Sequence, residues 1–192
     1  LSEIIKTSSQ DCASMTIFEL GNGFIDNAEW EWLNCAAIFS DFSYNDEKNL
    51  IYLKSVYPEI THENISSSIP GMNSRKINSA LIYYEYDLNH VYTLIKERKL
   101  DEIDSIHEII EDEINRLVED FSEKKQYFLE KELYIYEVES RFNVLSTLVT
   151  IISKMKPDSS FVFFQKKGDL LKISARNSKG RKDMGELMKK CM

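Results

Sequence analysis

The residues best suited to binding chemistry lie near the end of the chain, in LLKISARNSKGRKDMGELMKK. The pattern predicts a strand, a short basic loop and then a helix that opens at Asp183. An arginine side chain presents a planar fork of donors that fits a phosphate, and a serine hydroxyl or a helix N-terminus adds further donors. The candidate nucleic-acid-binding residues are Ser174, Arg176, Asn177, Lys179, Arg181 and Lys182.

The distribution of charge indicates the same segment. Residues 154–192 hold 11 Lys+Arg and 4 Asp+Glu, a local net charge of +7. The other 153 residues hold 13 Lys+Arg and 28 Asp+Glu, a net charge of −15, so that the whole chain carries −8. If the chain binds a polyanion, we expect it to do so through this C-terminal segment. The alternative is an ordinary solvated basic loop, and the residues alone leave both interpretations open.

A second candidate is Asp41, at the predicted end of an apolar helix in AAIFSDF. A carboxylate at the end of an element can bind a divalent metal ion. One carboxylate does not make a metal site, however, and the residues alone favour a helix-end aspartate that bonds backbone amides or solvent. We find no Walker-type loop, no GxGxxG and no Ser/His/Asp arrangement, so the sequence predicts no catalytic residue and no cofactor.

Composition predicts a folded, reduced, cytoplasmic protein. The chain has 192 residues, of which 43% are hydrophobic, which is enough for a core. The sequence contains no run of 18 apolar residues, so no membrane span is predicted. The start of the chain lacks a basic region followed by an apolar core, so no signal peptide is predicted. The 3 cysteines are widely spaced, which indicates buried thiols rather than disulfides or a zinc site. Because the first residue is Leu1, we expect a piece of a longer protein.

Hydrophobic periodicity predicts an α/β protein with two lobes. Residues 1–58 are expected to be mixed α/β, and SSSIPGM is expected to be a loop. The apolar positions from residue 100 to about 128 have helical spacing, and the opposite face of that helix is acidic. After this helix the pattern predicts a strand, a helix, a β-hairpin and a final helix. The predicted domains are residues 1–99, a long acidic linker helix at 100–129, and a compact lobe at 130–192.

The motifs together resemble the DHH phosphoesterase superfamily, in its archaeal RecJ-like branch. SSQDCASMTIFEL resembles the helix after the DHH signature, and AAIFSDFS resembles the last metal-ligand motif of the family. LLKISARNSKGRKDMGELMKK resembles the DHH-associated domain, with Ser174 and Arg176 on its phosphate-contacting strand. The resemblance implies a remnant of a DHH domain that is joined by a long helix to a small α/β DHH-associated domain.

The chain also departs from the family pattern. The DHH triplet, the Asp-rich motifs and the Gly-Gly-Gly-His segment are absent, and Phe39 replaces a usual glycine. The resemblance therefore implies a nuclease-degenerate DNA replication factor that binds single-stranded DNA or RNA and joins proteins of the GINS and MCM type. The alternative is a single-strand-specific exonuclease that lacks its catalytic half here, with Asp41 as a ligand of Mn²⁺ or Mg²⁺. A pure protein-interaction scaffold is a third possibility.

Overall fold

The computed structural model describes residues 12–85 and 87–189. Contacts group the chain into two compact units, residues 1–78 and 79–192. The eight α-helices and four strands that follow are those of the described ranges. In chain order they are α1 (Ala13–Gly21), α2 (Glu31–Ser40), α3 (Glu47–Val56), α4 (Ile69–Tyr83), α5 (Leu88–Lys96), α6 (Leu100–Lys124), β1 (Gln126–Phe128), β2 (Leu133–Glu137), α7 (Leu145–Met155), β3 (Ser160–Lys167), β4 (Leu170–Asn177) and α8 (Met184–Lys189).

The described part of the first unit contains helices joined by turns and no strand, so the expectation of mixed α/β structure for residues 1–58 is wrong there. Its core is formed by buried apolar side chains that recur at helical spacing on α1, α2 and α3, among them Met15, Ile38 and Leu53. Asp46 caps the start of α3, and its side chain accepts a hydrogen bond from the backbone N–H of Lys48. The small residues in the middle of α2 allow this close packing.

The segment SSSIPGM, predicted to be a loop, contains the start of α4. Pro70 is the second residue of the helix, where the missing N–H of a proline costs little. Gly71 follows it in close contact with the preceding turn. A Cβ atom on Gly71 would lie 2.4 Å from the carbonyl oxygen of Ile65, so only glycine fits.

The second unit contains a four-stranded mixed sheet in the order β1-β2-β3-β4. β2 and β3 are parallel and are connected through α7, whereas β1 pairs antiparallel with β2 and β4 pairs antiparallel with β3. The hairpin between β3 and β4 turns at Gly168, whose φ of +59° favours glycine. The coarse prediction of an α/β fold with this hairpin is confirmed, whereas β1 was not predicted.

Helices α6 and α7 cover one face of this sheet. Ile110, Leu117 and Phe121 of α6 are buried in the same cluster as Leu148 of α7 and Phe163 of β3. The long acidic helix is therefore a packed helix of the second unit, and contacts divide the chain after Asn78 rather than at residues 99 and 129. Its apolar stripe is what binds it to the sheet.

The other face of the sheet is apolar and largely open in the part of the chain described. Leu171 and Ile173 of β4 are 53% and 43% exposed, and Val162 and Phe164 of β3 are half-buried beside them. At one end of this face a cavity of about 540 Å³ lies between β2 and α8, lined by Leu133 and Met184 among others. Among the helices of the described ranges, none is long and apolar enough to cross a membrane.

Candidate nucleic-acid interface

The register of the hairpin places Ser174 and Arg176 on the helix-covered face of the sheet. Ser174 lies opposite Phe163 and Arg176 lies opposite Phe161, and directly opposed residues share a face. Ser174 is half-buried, whereas Arg176 is exposed. Within residues 12–85 and 87–189 no hydrogen bond or ion pair engages the Arg176 guanidinium. Arg176 is therefore a cation available to a ligand.

Asn177 lies on the opposite face and has a structural role. Its side-chain amide donates to Ser160 Oγ at 3.0 Å, and its Oδ1 accepts from the backbone N–H of Arg181 at 2.8 Å. The backbone N–H of Gly180, at a φ of +63°, donates to the Asn177 carbonyl oxygen. These bonds shape the basic loop, so Asn177 holds the loop rather than offering a free donor.

Lys179 and Arg181 both pair with Asp158. The Lys179 ammonium lies 2.5 Å from Asp158 Oδ1, and the Arg181 guanidinium lies 3.2 Å from the same oxygen. The hydrogen bond from Lys179, together with the charges of Lys179 and Arg181, lowers the pKa of Asp158 below its ordinary value. All three side chains are well exposed, so an incoming phosphate competes with one carboxylate in water.

The loop is attached to the C-terminal end of α7. Ser178 Oγ donates to the carbonyl oxygen of Ser153 at 3.1 Å, and Lys182 Nζ donates to the carbonyl oxygen of Lys131. This attachment brings the basic loop to the segment of Lys154 and Lys156. These two lysines belong to the basic segment 154–192 but were not among the candidate binding residues. We define the cationic cluster as Lys154, Lys156, Arg176, Lys179, Arg181 and Lys182. The short link between α7 and β3 could have indicated the two lysines. It leads directly into Ser160, the first residue of β3, which pairs with Asn177 beside the basic loop.

A row of aromatic rings leads across the sheet to Arg176. Tyr127, Tyr134 and Phe161 occupy successive opposed positions in β1, β2 and β3, and Arg176 is the next position in β4. Tyr127 stacks on Tyr134 with 4.4 Å between ring centroids, and it is 44% exposed. Three strand spacings separate Tyr127 from Arg176, or about 14 Å. The Lys156 ammonium lies 5.8 Å from the Tyr134 ring centroid.

The start of α8 is already occupied by a carboxylate. Asp183 Oδ1 accepts a hydrogen bond from the backbone N–H of Glu186 at 2.9 Å. The helix has 6 residues within the described range. The expected contribution of this helix N-terminus to phosphate binding therefore has an internal competitor, and Cys191 of the predicted helix lies outside the described residues.

Asp41 follows the last residue of α2 and contacts a buried thiol. Cys12 Sγ donates to Asp41 Oδ2 at 3.5 Å, and the Asp41 backbone N–H donates to the carbonyl oxygen of Ala37. Across the residues that the structure describes, no group of three or more His, Cys, Asp or Glu side chains could hold a metal ion. The assignment of Mn²⁺ or Mg²⁺ to Asp41 stays a prediction of the resemblance.

Comparison of the chain with protein-family models, with curated proteins and with solved structures finds no match.

Proposed function

We propose that the second unit binds a polyanion through the cationic cluster, and that the ligand is single-stranded nucleic acid. The observation that carries the proposal is the convergence of β4, the basic loop and the end of α7. It gathers Lys179 and Arg181 on Asp158, and Arg176 of β4 is exposed, with no hydrogen bond or ion pair of its guanidinium among residues 12–85 and 87–189. Arginine and lysine in such a cluster contact phosphates without reading base identity.

The aromatic row favours a single strand as the ligand. Unstacked bases bind exposed aromatic rings, and each stacked base contributes about 1–3 kcal/mol. Tyr127 offers such a ring on the edge strand β1, at 44% exposure and about 14 Å from Arg176. Tyr134 and Phe161 lie between them but are buried in the core with α6 and α7, so Tyr127 is the ring of this row on which a base can stack. A duplex, whose bases are stacked internally, gains nothing from this ring.

The resemblance to the archaeal RecJ-like branch adds a proposed setting. A degenerate member of that branch would hold single-stranded DNA within a replication assembly of the GINS and MCM type. The acidic first unit and the acidic face of α6 would then be protein-binding surfaces, since they would repel nucleic acid. This setting is supported by the motifs of the sequence alone.

The direct test is binding of a labelled single-stranded oligonucleotide by fluorescence anisotropy. Arg176→Ala is expected to weaken binding about tenfold for any base sequence, the equivalent of about 1.4 kcal/mol. Lys48→Ala, which removes the same charge from the first unit, is the matched control and is expected to leave affinity unchanged. Equal affinity of wild type and Arg176→Ala would contradict the assignment.

A second variant distinguishes contacts with the bases of the ligand from contacts with its phosphates. Tyr127→Ala is expected to weaken binding of the oligonucleotide while inorganic polyphosphate binds as before, because only the oligonucleotide carries bases that stack. A parallel loss of both ligands would mean that Tyr127 supports the sheet and that the ligand class is a general polyanion.

A further inference from the structure

The outer edge of β4 is the longest unpaired strand edge in the part of the chain described. The sheet has two edges, β1 with 3 residues and β4 with 8. The pairing of β3 with β4 runs through eight consecutive residue pairs without a bulge, so the edge is straight enough to accept another strand. Natural proteins usually shorten, twist or cover such an edge.

Two hydrogen bonds establish which backbone groups face outward. The backbone N–H of Ser160 donates to Glu132, and that of Val138 donates to the carbonyl oxygen of Phe164. The even-numbered residues of β3 therefore turn their backbone groups toward β2, and the odd-numbered ones turn toward β4. Phe161 and Phe163 consequently bond the residues opposite them in β4.

It follows that the alternate residues of β4 present their N–H and C=O groups to the free edge. These residues are Leu171, Ile173 and Ala175. Their side chains lie on the open apolar face, where Ile173 is opposite Phe164 and Ala175 is opposite Val162. An added strand would thus gain backbone hydrogen bonds and would extend an apolar surface at the same time.

The other face of the same edge is cationic. Lys172, Ser174 and Arg176 alternate with the apolar residues, and Arg176 has no ion pair among the described residues. Lys172 shares Glu85 with Lys167, at 3.3 Å from its carboxylate. Opposite charges on directly opposed strand positions stabilise a pair, and like charges destabilise it. A second copy of this chain would bring two more cations to the edge.

We propose that β4 is a docking edge for an extended protein segment that alternates apolar and acidic residues. The apolar side chains of that segment lie beside Leu171, Ile173 and Ala175, and its carboxylates lie beside Lys172 and Arg176. The segment adds a fifth strand to the sheet. The inference rests on the edge of the sheet and its backbone groups and does not require nucleic-acid binding. Because it shares Arg176 with the proposed nucleic-acid site, the peptide and an oligonucleotide are expected to compete for that side chain.

The test uses a nine-residue peptide of alternating glutamate and valine, with neutral, capped termini and a fluorescent label. Anisotropy is expected to show saturable binding to the full chain. A peptide with the same composition in two blocks, and one of alternating lysine and valine, are each expected to bind at least tenfold more weakly. Equal binding of the alternating lysine peptide would overturn the charge argument and with it the proposed partner.

Two changes at the backbone complete the test. Ile173→Pro removes an outward N–H that the sheet does not use, so the fold is expected to persist while peptide affinity falls at least tenfold. Ile173→Val keeps that N–H and is the matched control, expected to bind as the wild type does. N-methylation of alternate peptide residues applies the same test from the other side if Ile173→Pro unfolds the protein.

The proposal would be overturned if Ile173→Pro bound the peptide as the wild type does. It would also be overturned if two peptides, N-methylated at the odd or at the even positions, both bound as the unmodified peptide does. Light scattering of the free protein gives the remaining outcome. Dimers that form with wild type and with Ile173→Val, but not with Ile173→Pro, would show that a second copy occupies the edge, and the proposed partner would be wrong.

Discussion

At the scale of single residues, Asp158 restrains the cationic cluster. It is the carboxylate that pairs with both Lys179 and Arg181. Replacing it with a neutral amide releases both cations, so Asp158→Asn is expected to raise the affinity for a single-stranded oligonucleotide severalfold, measured by anisotropy at about 0.1 M salt.

Asp169 provides the control for this change. It is an exposed residue in the turn between β3 and β4, at the far end of the hairpin from the cluster. Asp169→Asn alters the net charge of the protein equally, so it is expected to change the affinity less than Asp158→Asn. Equal gains from the two variants would mean that net charge acts alone and that the pairing with Asp158 has no part.

Tyr136 and Asp120 form a hydrogen-bonded contact inside the second unit. The Tyr136 hydroxyl donates to Asp120 Oδ2 at 2.5 Å, and Lys124 pairs with the same carboxylate. Hydrogen bonds from Lys124 and then Tyr136 lower the pKa of Asp120, while burial and the bond to Asp120 raise the pKa of Tyr136.

We expect Tyr136→Phe to lower the free energy of unfolding of this unit by about 1–2 kcal/mol at pH 7. Because the folded pKa of Asp120 is depressed, this contribution is present above the ordinary value of 3.8 and is lost as pH falls through the lower folded value. Amide hydrogen exchange of β3 as a function of pH measures the difference between the two proteins.

Tyr134→Phe is the matched control for Tyr136→Phe. Tyr134 lies on the same strand and the same face, and its hydroxyl has no hydrogen bond among the residues described. It is expected to change stability by well under 1 kcal/mol. A pH-independent difference between wild type and Tyr136→Phe would contradict the role given to Asp120.

At the scale of elements, the start of α4 depends on Gly71. Alanine is normally favoured over glycine in a helix by about 1 kcal/mol. Here a Cβ atom would meet the carbonyl oxygens of Ile65 and Ser66 at 2.4 and 2.9 Å. We therefore expect Gly71→Ala to destabilise the first unit by about 2–3 kcal/mol.

Urea unfolding followed by tryptophan fluorescence measures this effect, because both tryptophans, Trp30 and Trp32, belong to the first unit. Gly23→Ala is the control, since its nearest neighbour, the carbonyl oxygen of Leu20, would lie at an ordinary 3.6 Å. A neutral or stabilising Gly71→Ala change would show that the turn before α4 adjusts freely.

The elements with strong local patterns could be predicted from the sequence, and those fixed by tertiary contacts could not. The periodic apolar residues of α6 and the glycine of the β3–β4 turn are local signals, and both elements are present. The three-residue β1 and the start of α4 at Ile69 have no such signal. β1 exists because it pairs with β2. The proline and glycine at the start of α4 are typical of a loop in sequence, and only the tertiary contacts of Gly71 explain why they begin a helix.

The candidate site shows the same limit. The basic residues of β4 and the loop could be proposed from the sequence because they lie close together along the chain. It could not show that Asn177 shapes the loop, that Asp158 pairs with two of the cations, or that Lys154 and Lys156 belong with them. Those relations depend on how α7 connects to the sheet, which only the fold supplies.

At the scale of the whole molecule, charge distinguishes the basic C-terminal segment from the acidic remainder of the chain. The chain is acidic, with a net charge of −8, so the proposed binding of a polyanion through the cationic cluster is expected to be local and sensitive to salt. A uniform surface attraction is not available to it. If the proposal is correct, the salt dependence of binding gives the number of phosphates that contact the cluster.

The most direct measurement is the affinity for a labelled single-stranded oligonucleotide over a range of salt concentrations, for wild type and for Arg176→Ala. If about four cations contact phosphates, the logarithm of the association constant falls with a slope of about −3 against the logarithm of salt concentration, and loss of Arg176 reduces that slope by about 0.7. A flat dependence, or the same slope in both proteins, would contradict the proposal that Arg176 and its cluster bind nucleic acid.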